Sequence, residues 1–239
     1  MQREAAIASL LAALALLAAA TALRATGEPG ALYVPVTLGV FCCALLAAAA
    51  WLPGHRPHRR LGGANRVTLL RLSITALLAG LVFERVSALA WFVVVAASAA
   101  ALLDALDGTL ARRSGMASTF GARFDMETDA LLILVLAALA WRMDKVGSWV
   151  LASGLLRYGF VVAGLLWPAL ARPLPPSRRR KTVCVVQVAS LIVCLAPVVP
   201  ASVAATVAAG ALALLVASFA IDVAWLLRAR RACPEESVS

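Results

Sequence analysis

The chain has no polar stretch long enough to fold as a soluble domain. Of its 239 residues, 63% are hydrophobic and 14% charged, and the mean hydropathy is +0.92. Acidic residues are few, 12 against 22 Lys and Arg. The five cysteines show no zinc or redox spacing. Cys42, Cys43, Cys184 and Cys194 fall in apolar runs and read as small packing residues, and Cys233 lies in the polar tail. Nothing in the chain has the pattern of a nucleic-acid module. The net charge of +10 therefore points to basic cytoplasmic loops and anionic lipid heads rather than to nucleic acid.

What the chain does have is apolar runs that approach or exceed the roughly 18 to 20 residues needed to cross a bilayer. They place spans at about 5–23, 32–52, 65–83, 87–110, 118–141, 146–170, 182–196 and 201–227. The fold expected is an all-α, polytopic helical membrane protein. The first run could be a signal peptide, because Ala20-Thr21-Ala22 fits a cleavage site. Its apolar core is longer than the roughly 7 to 15 residues of a signal h-region, so it is read as a retained span. The linker at 55–66 is basic. His55 and His58 are three apart, but Pro57 breaks a helix between them, and the segment reads as juxtamembrane.

Alternate loops differ in charge. The N-terminus, the loops at 53–66, 111–117 and 171–181 and the C-terminus hold 15 Lys and Arg. The opposite loops hold four: Arg24, Arg85, Arg142 and Lys145. The positive side is cytoplasmic. This predicts a multi-pass protein of the cell membrane with both termini in the cytoplasm.

Four aspartates crowd into the stretch 104–129. Asp104, Asp107, Asp125 and Asp129 lie in or beside apolar sequence, where an ionised carboxylate costs about 2.5 kcal/mol or more. Asp104 and Asp107 are three apart and share a helix face, which Gly108 and Ala111 extend, with Arg112 at its edge. Gly121, Asp125 and Asp129 follow at intervals of four and form a second face. A short polar turn at 113–119 separates the two, so the helices run antiparallel and the acidic faces can meet. Four such carboxylates need positive charge, and an all-oxygen ligand set suits Mg²⁺ or Mn²⁺. The two glycines leave room for a ligand to approach the backbone.

The stretch resembles the signature of the CDP-alcohol phosphotransferase family, D-x2-D-G-x2-A-R-x8-G-x3-D-x3-D, and every specified position matches. The segment N-R-V-T-L-L-R, with Asn65, Thr68 and Arg71, resembles the N-x2-T-x2-R pattern that precedes the aspartates in relatives. Ordinary polar helix packing is the other reading of that face. The resemblance implies a six-helix catalytic core built on the last six spans, with two extra helices before it. The domain division expected is 1–54 for the extra helices, 55–231 for the membrane domain and 232–239 for a tail.

It also implies the activity: transfer of a phosphatidyl or related phosphoalcohol group from a CDP-linked donor, above all CDP-diacylglycerol, to an alcohol with release of CMP. Two Mg²⁺ or Mn²⁺ ions would be held by Asp104, Asp107, Asp125 and Asp129, with Asp129 also the general base. Asn65, Thr68, Arg71, Gly108, Ala111, Arg112 and Gly121 would bind the CDP group. A homodimer is implied as well. For the acceptor, the candidates are Arg157, deep in the sixth span, and Lys181. Arg157 could instead pair with one of the aspartates, and Arg178 to Lys181 could simply anchor the chain at the membrane surface.

Two departures from relatives bear on the acceptor. Lys181, Thr182 and Gln187 align only loosely with a G-K-x-K-T-x2-Q stretch, and Tyr158 follows Arg157 where relatives often have Glu. Two other classes use intramembrane carboxylates. An aspartate-motif prenyltransferase would need two well-separated acidic clusters, and the chain has one compact hairpin. A transporter would favour broken helices and two related halves, and the sequence shows neither.

Overall fold

A computed structural model describes residues 2–50, 63–85, 87–114, 119–167, 174–175 and 177–232, and within these the side chains at 2–3, 5, 50, 64, 87, 106–114, 119–120 and 229–232 lie outside the description. The linker bearing His55 and His58, the turn at 115–118 and the tail bearing Cys233 therefore lie outside the described residues.

Among the described residues the chain forms eight α-helices and no strand. They are α1 (Gln2–Ala25), α2 (Tyr33–Ala50), α3 (Gly63–Gly80), α4 (Ala90–Ser114), α5 (Thr119–Arg142), α6 (Ala152–Leu166), α7 (Arg178–Leu195) and α8 (Ala201–Ala232). Each corresponds to one apolar run of the sequence. Helices are the expected answer, since in lipid every backbone N–H and C=O must be satisfied within its own segment. Among the described residues, four stretches are long and apolar enough to cross a membrane: Ala6–Ala25, Asn65–Phe83, Ser148–Leu166 and Ala201–Arg228. The chain is thus a polytopic helical membrane protein.

The helix ends have identifiable causes. Gly27 takes a left-handed φ of 84° after α1, a conformation that costs glycine little. Asp144 does the same after α5 with φ 54°, while the Lys145 N–H returns to the Ala140 carbonyl. Asp tolerates this conformation better than most residues do. That turn delays the sixth helix, which begins as a 3-10 turn at Ser148–Leu151 before α6 proper. The seventh helix begins at Arg178 rather than at 182, and the eighth runs on through its arginines to Ala232. Apolar patterning ends where the arginines begin, whereas the helical backbone does not.

Helix α3 is the hub and packs against α1, α2, α4 and α5. Helix α5 also meets α6 and α7, and α7 pairs with α8 and α4. The main core lies between α3, α4, α5 and α7, around Leu78, Val93, Ala97, Leu136, Leu139 and Leu191. A second cluster, including Leu16, Phe41, Leu69 and Leu72, fixes α1 and α2 to α3. Lipid tails are as apolar as leucine, so these contacts stabilise mainly through close packing. Gly154 illustrates it: a Cβ there would lie 2.6 Å from the Leu134 Cα, so α6 approaches α5 this closely only through glycine.

The loops joining α1–α2, α3–α4, α5–α6 and α7–α8 are tied together at one end. The Gly30 N–H donates to Glu84 Oε2 (2.9 Å), and Arg142 Nε donates to the Val82 carbonyl (3.0 Å). Lys145 Nζ donates to the carbonyls of Ala196 (3.3 Å) and Val199 (2.6 Å). These are the four basic-poor loops of the charge pattern, gathered at the end away from the aspartate hairpin.

Candidate active site

Helix α3 brings Arg71 into the bundle, α4 brings Asp104, and α5 brings Asp125 and Asp129. One carboxylate oxygen from each of the three aspartates lies within 4.8 Å of the others. The Arg71 guanidinium stands among them. Its Nη1 lies 3.1 Å from Asp104 and is also paired with Asp125, and its Nη2 is paired with Asp129. Arg71 is 1% exposed, whereas the three carboxylates remain a quarter to a third exposed. A planar fork suits such multiple carboxylate contacts. Asp104 of α4 thus meets Asp125 and Asp129 of α5, as the spacing led one to expect for these three, with a cation from a third helix among them.

The remaining motif positions are distributed around this centre. Thr68 is buried one turn before Arg71, and Asn65 is half-buried a turn earlier still. Gly121 is half-buried one turn before Asp125. The backbones of Asp107, Gly108, Ala111 and Arg112 continue α4, and their side chains lie outside the described residues. Lys181, at the start of α7, is exposed. Arg157 is not at the aspartates: its Nη2 lies 2.5 Å from Glu127 Oε1. It is an ion-paired cation on the α5–α6 seam.

Glu127, Ser153, Ser218 and Asp222 emerge as partners that the motifs did not flag. Glu127 lies within the signature stretch but faces α6 rather than α4. The signal for it was present, because a lone arginine in an apolar span requires an acid partner. The run Arg178 to Lys181 divides in the same way. Arg179 donates to Asp222 Oδ1 and to Ser218 Oγ, both at 2.6 Å, and Arg180 Nη1 lies 3.5 Å from the same Asp222. These two arginines pin α7 to α8. Gln187 is buried and donates to Ser153 Oγ (3.0 Å) across α6 and α7. Cys184 packs against the core and its Sγ also lies 4.0 Å from Asp129 Oδ2. Of the other described cysteines, Cys194 is buried, whereas Cys42 and Cys43 are exposed on α2.

The donor set fits a hard divalent cation. It is all oxygen, it converges from two helices, and its present geometry already gathers around a cationic group. The fold and the site thus define a membrane-embedded bundle with a carboxylate-rich, cation-holding centre at one end. The chain belongs to the CDP-alcohol phosphatidyltransferase family, whose model matches residues 62–221. Members transfer phosphatidyl groups from CDP-alcohols in phospholipid biosynthesis and use a divalent metal. The matched region begins at α3 and includes most of α8, so α1 and α2 stand outside it. Comparison with curated proteins and with solved structures finds no match.

Proposed function

We propose that this chain transfers a phosphatidyl group from CDP-diacylglycerol to a small alcohol, releasing CMP. The observation that carries the reading is the convergence of Asp104, Asp125 and Asp129 around a buried Arg71, on the hairpin that bears the family signature. The acceptor hydroxyl oxygen attacks the donor phosphorus that carries diacylglycerol. The bond from that phosphorus to the oxygen bridging to CMP breaks, and CMP leaves with that oxygen. Asp129 takes the hydroxyl proton. Asp104, Asp107 and Asp125, with Asp129 beside them, would hold two Mg²⁺ or Mn²⁺ ions, which when bound would supply charge stabilisation for phosphoryl transfer.

The other roles follow from position. Asn65, Thr68, Arg71, Gly108, Ala111, Arg112 and Gly121 line the approach of the CDP group. Arg71, which pairs with the three carboxylates in this structure, would meet donor phosphate with a metal bound in its place. Lys181, exposed at the start of α7, meets the acceptor, and Arg157 reaches it from the α5–α6 seam. The division proposed is 1–54 as an added helical pair, 55–231 as the catalytic membrane domain and 232–239 as a tail. Both termini lie in the cytoplasm at the cell membrane, and two copies form a homodimer.

The test is CMP release by purified protein given CDP-diacylglycerol, Mg²⁺ and a panel of acceptor alcohols. Release that depends on one acceptor and stops with EDTA is expected. Full turnover in EDTA, or no CMP with any acceptor, overturns the reading.

A further inference from the structure

Helices α1 and α3 enclose a groove of about 610 Å³ on the side of α3 that faces away from the aspartates. Its walls are apolar, formed by Ala8, Leu11 and Ala15 on α1 and by Leu70, Ile74 and Leu77 on α3. Its charged groups, Glu4 and Arg66, come from the first turns of the two helices, so they mark one end. One further polar group, Ser73, lies along the wall, and its hydroxyl is committed to the Leu69 carbonyl (3.0 Å).

Two geometric facts limit what this groove can hold. From Arg66 to Leu77 is about 16 Å at 1.5 Å per residue, close to half of a roughly 30 Å hydrocarbon core. The groove is therefore one leaflet deep, with its charges where lipid heads lie. The second fact is angular. Arg66, Leu70, Ser73 and Leu77 recur at intervals of four, three and four on one face of α3, and Thr68, Arg71 and Thr75 occupy the opposite face. The burial agrees, since Thr68, Arg71 and Thr75 are all buried whereas Leu70 is 51% exposed. A molecule in the groove is separated from the reacting phosphates by the width of a helix.

We infer that the groove holds one non-reacting phospholipid with a zwitterionic head, its acyl chain between α1 and α3, its phosphate at Arg66 and its ammonium at Glu4. The apolar walls match an acyl chain, and the cation and anion at the mouth match the two charges of such a head. Helix α1 lies outside the region matched by the family and α3 lies inside it, so the groove is formed where an added helix meets the shared core. The lipid fills the space between α1 and the back of α3, the helix that presents Arg71.

The test is native mass spectrometry of the full chain in detergent, with dioleoylphosphatidylethanolamine or dioleoylglycerol added at a few molecules per protein. A one-to-one adduct with the phospholipid is expected, at roughly tenfold higher affinity than with the glyceride, the size of one charge-assisted contact. Arg66→Gln should erase that preference, and Ala15→Trp, which fills the groove, should weaken both adducts. Equal retention of the two lipids, or an adduct that neither substitution changes, overturns the inference. The readout involves no turnover, so it stands or falls separately from the proposed phosphotransfer.

Discussion

At the scale of single residues, the four aspartates should separate by role. Asp129→Asn is expected to lose most CMP release yet keep donor affinity, because a general base acts only as the hydroxyl loses its proton. Asp107→Asn should weaken donor and Mn²⁺ binding together, and calorimetry with CMP assays on both variants makes the comparison. Equal loss of donor and metal binding in the two would leave Asp129 a ligand only. Arg71 sets up a different experiment. Removing a buried partner from a charge cluster costs about 3–5 kcal/mol, so Arg71→Gln should melt markedly lower without metal. Mn²⁺ should then restore more stability than it adds to the native chain, since Arg71 no longer competes for the carboxylates. An unchanged melting temperature would show that the carboxylates do not depend on the guanidinium. The aspartates were legible in the sequence because ionised groups in apolar runs are costly and their spacing is helical. That Arg71 would lie among them was not legible. Thr68 and Arg71 mark a polar face of α3, but nothing local says which helix that face meets.

Pairs of helices show the same limit. Each of the eight was visible as an apolar run, and boundaries shifted where arginines or a left-handed Asp144 intervened and at the end of α6, which stops at Leu166, just before Trp167 and Pro168, rather than at 170. Their partners depended on contacts distant in the chain, such as Arg157 with Glu127 and Arg179 with Asp222. Asp222 is only 8% exposed and serves two arginines, so Asp222→Asn should loosen α7 from α8 by about 1.5–3 kcal/mol. Thermal melting of the variant checks this, and a shift within error would demote the contact to a surface pair. The Arg157–Glu127 pair is more exposed, and a double-mutant cycle should give a coupling of no more than about 1 kcal/mol. If Arg157 also serves the acceptor, Arg157→Gln raises the acceptor KM and Glu127→Gln leaves it the same or lower. A rise in both variants would mean that the pair acts only by holding α6 in place.

For the whole molecule, the charge count makes a claim about sidedness. In a background free of native cysteines, Ser114→Cys should react with an impermeant maleimide from the cytoplasmic side alone, and labelling in intact cells would invert the topology. The two ends of the bundle are also fastened differently. At the basic-poor end, Glu84, Arg142 and Lys145 bond to main-chain groups of neighbouring loops. At the aspartate end, the ties between α3, α4 and α5, between α5 and α6 and between α7 and α8 include carboxylate–arginine pairs. Metal ions and phosphates compete for carboxylate–guanidinium pairs and have less hold on a side chain bonded to main-chain groups. Under the proposed reaction, ligands would therefore act first on the ties at the aspartate end.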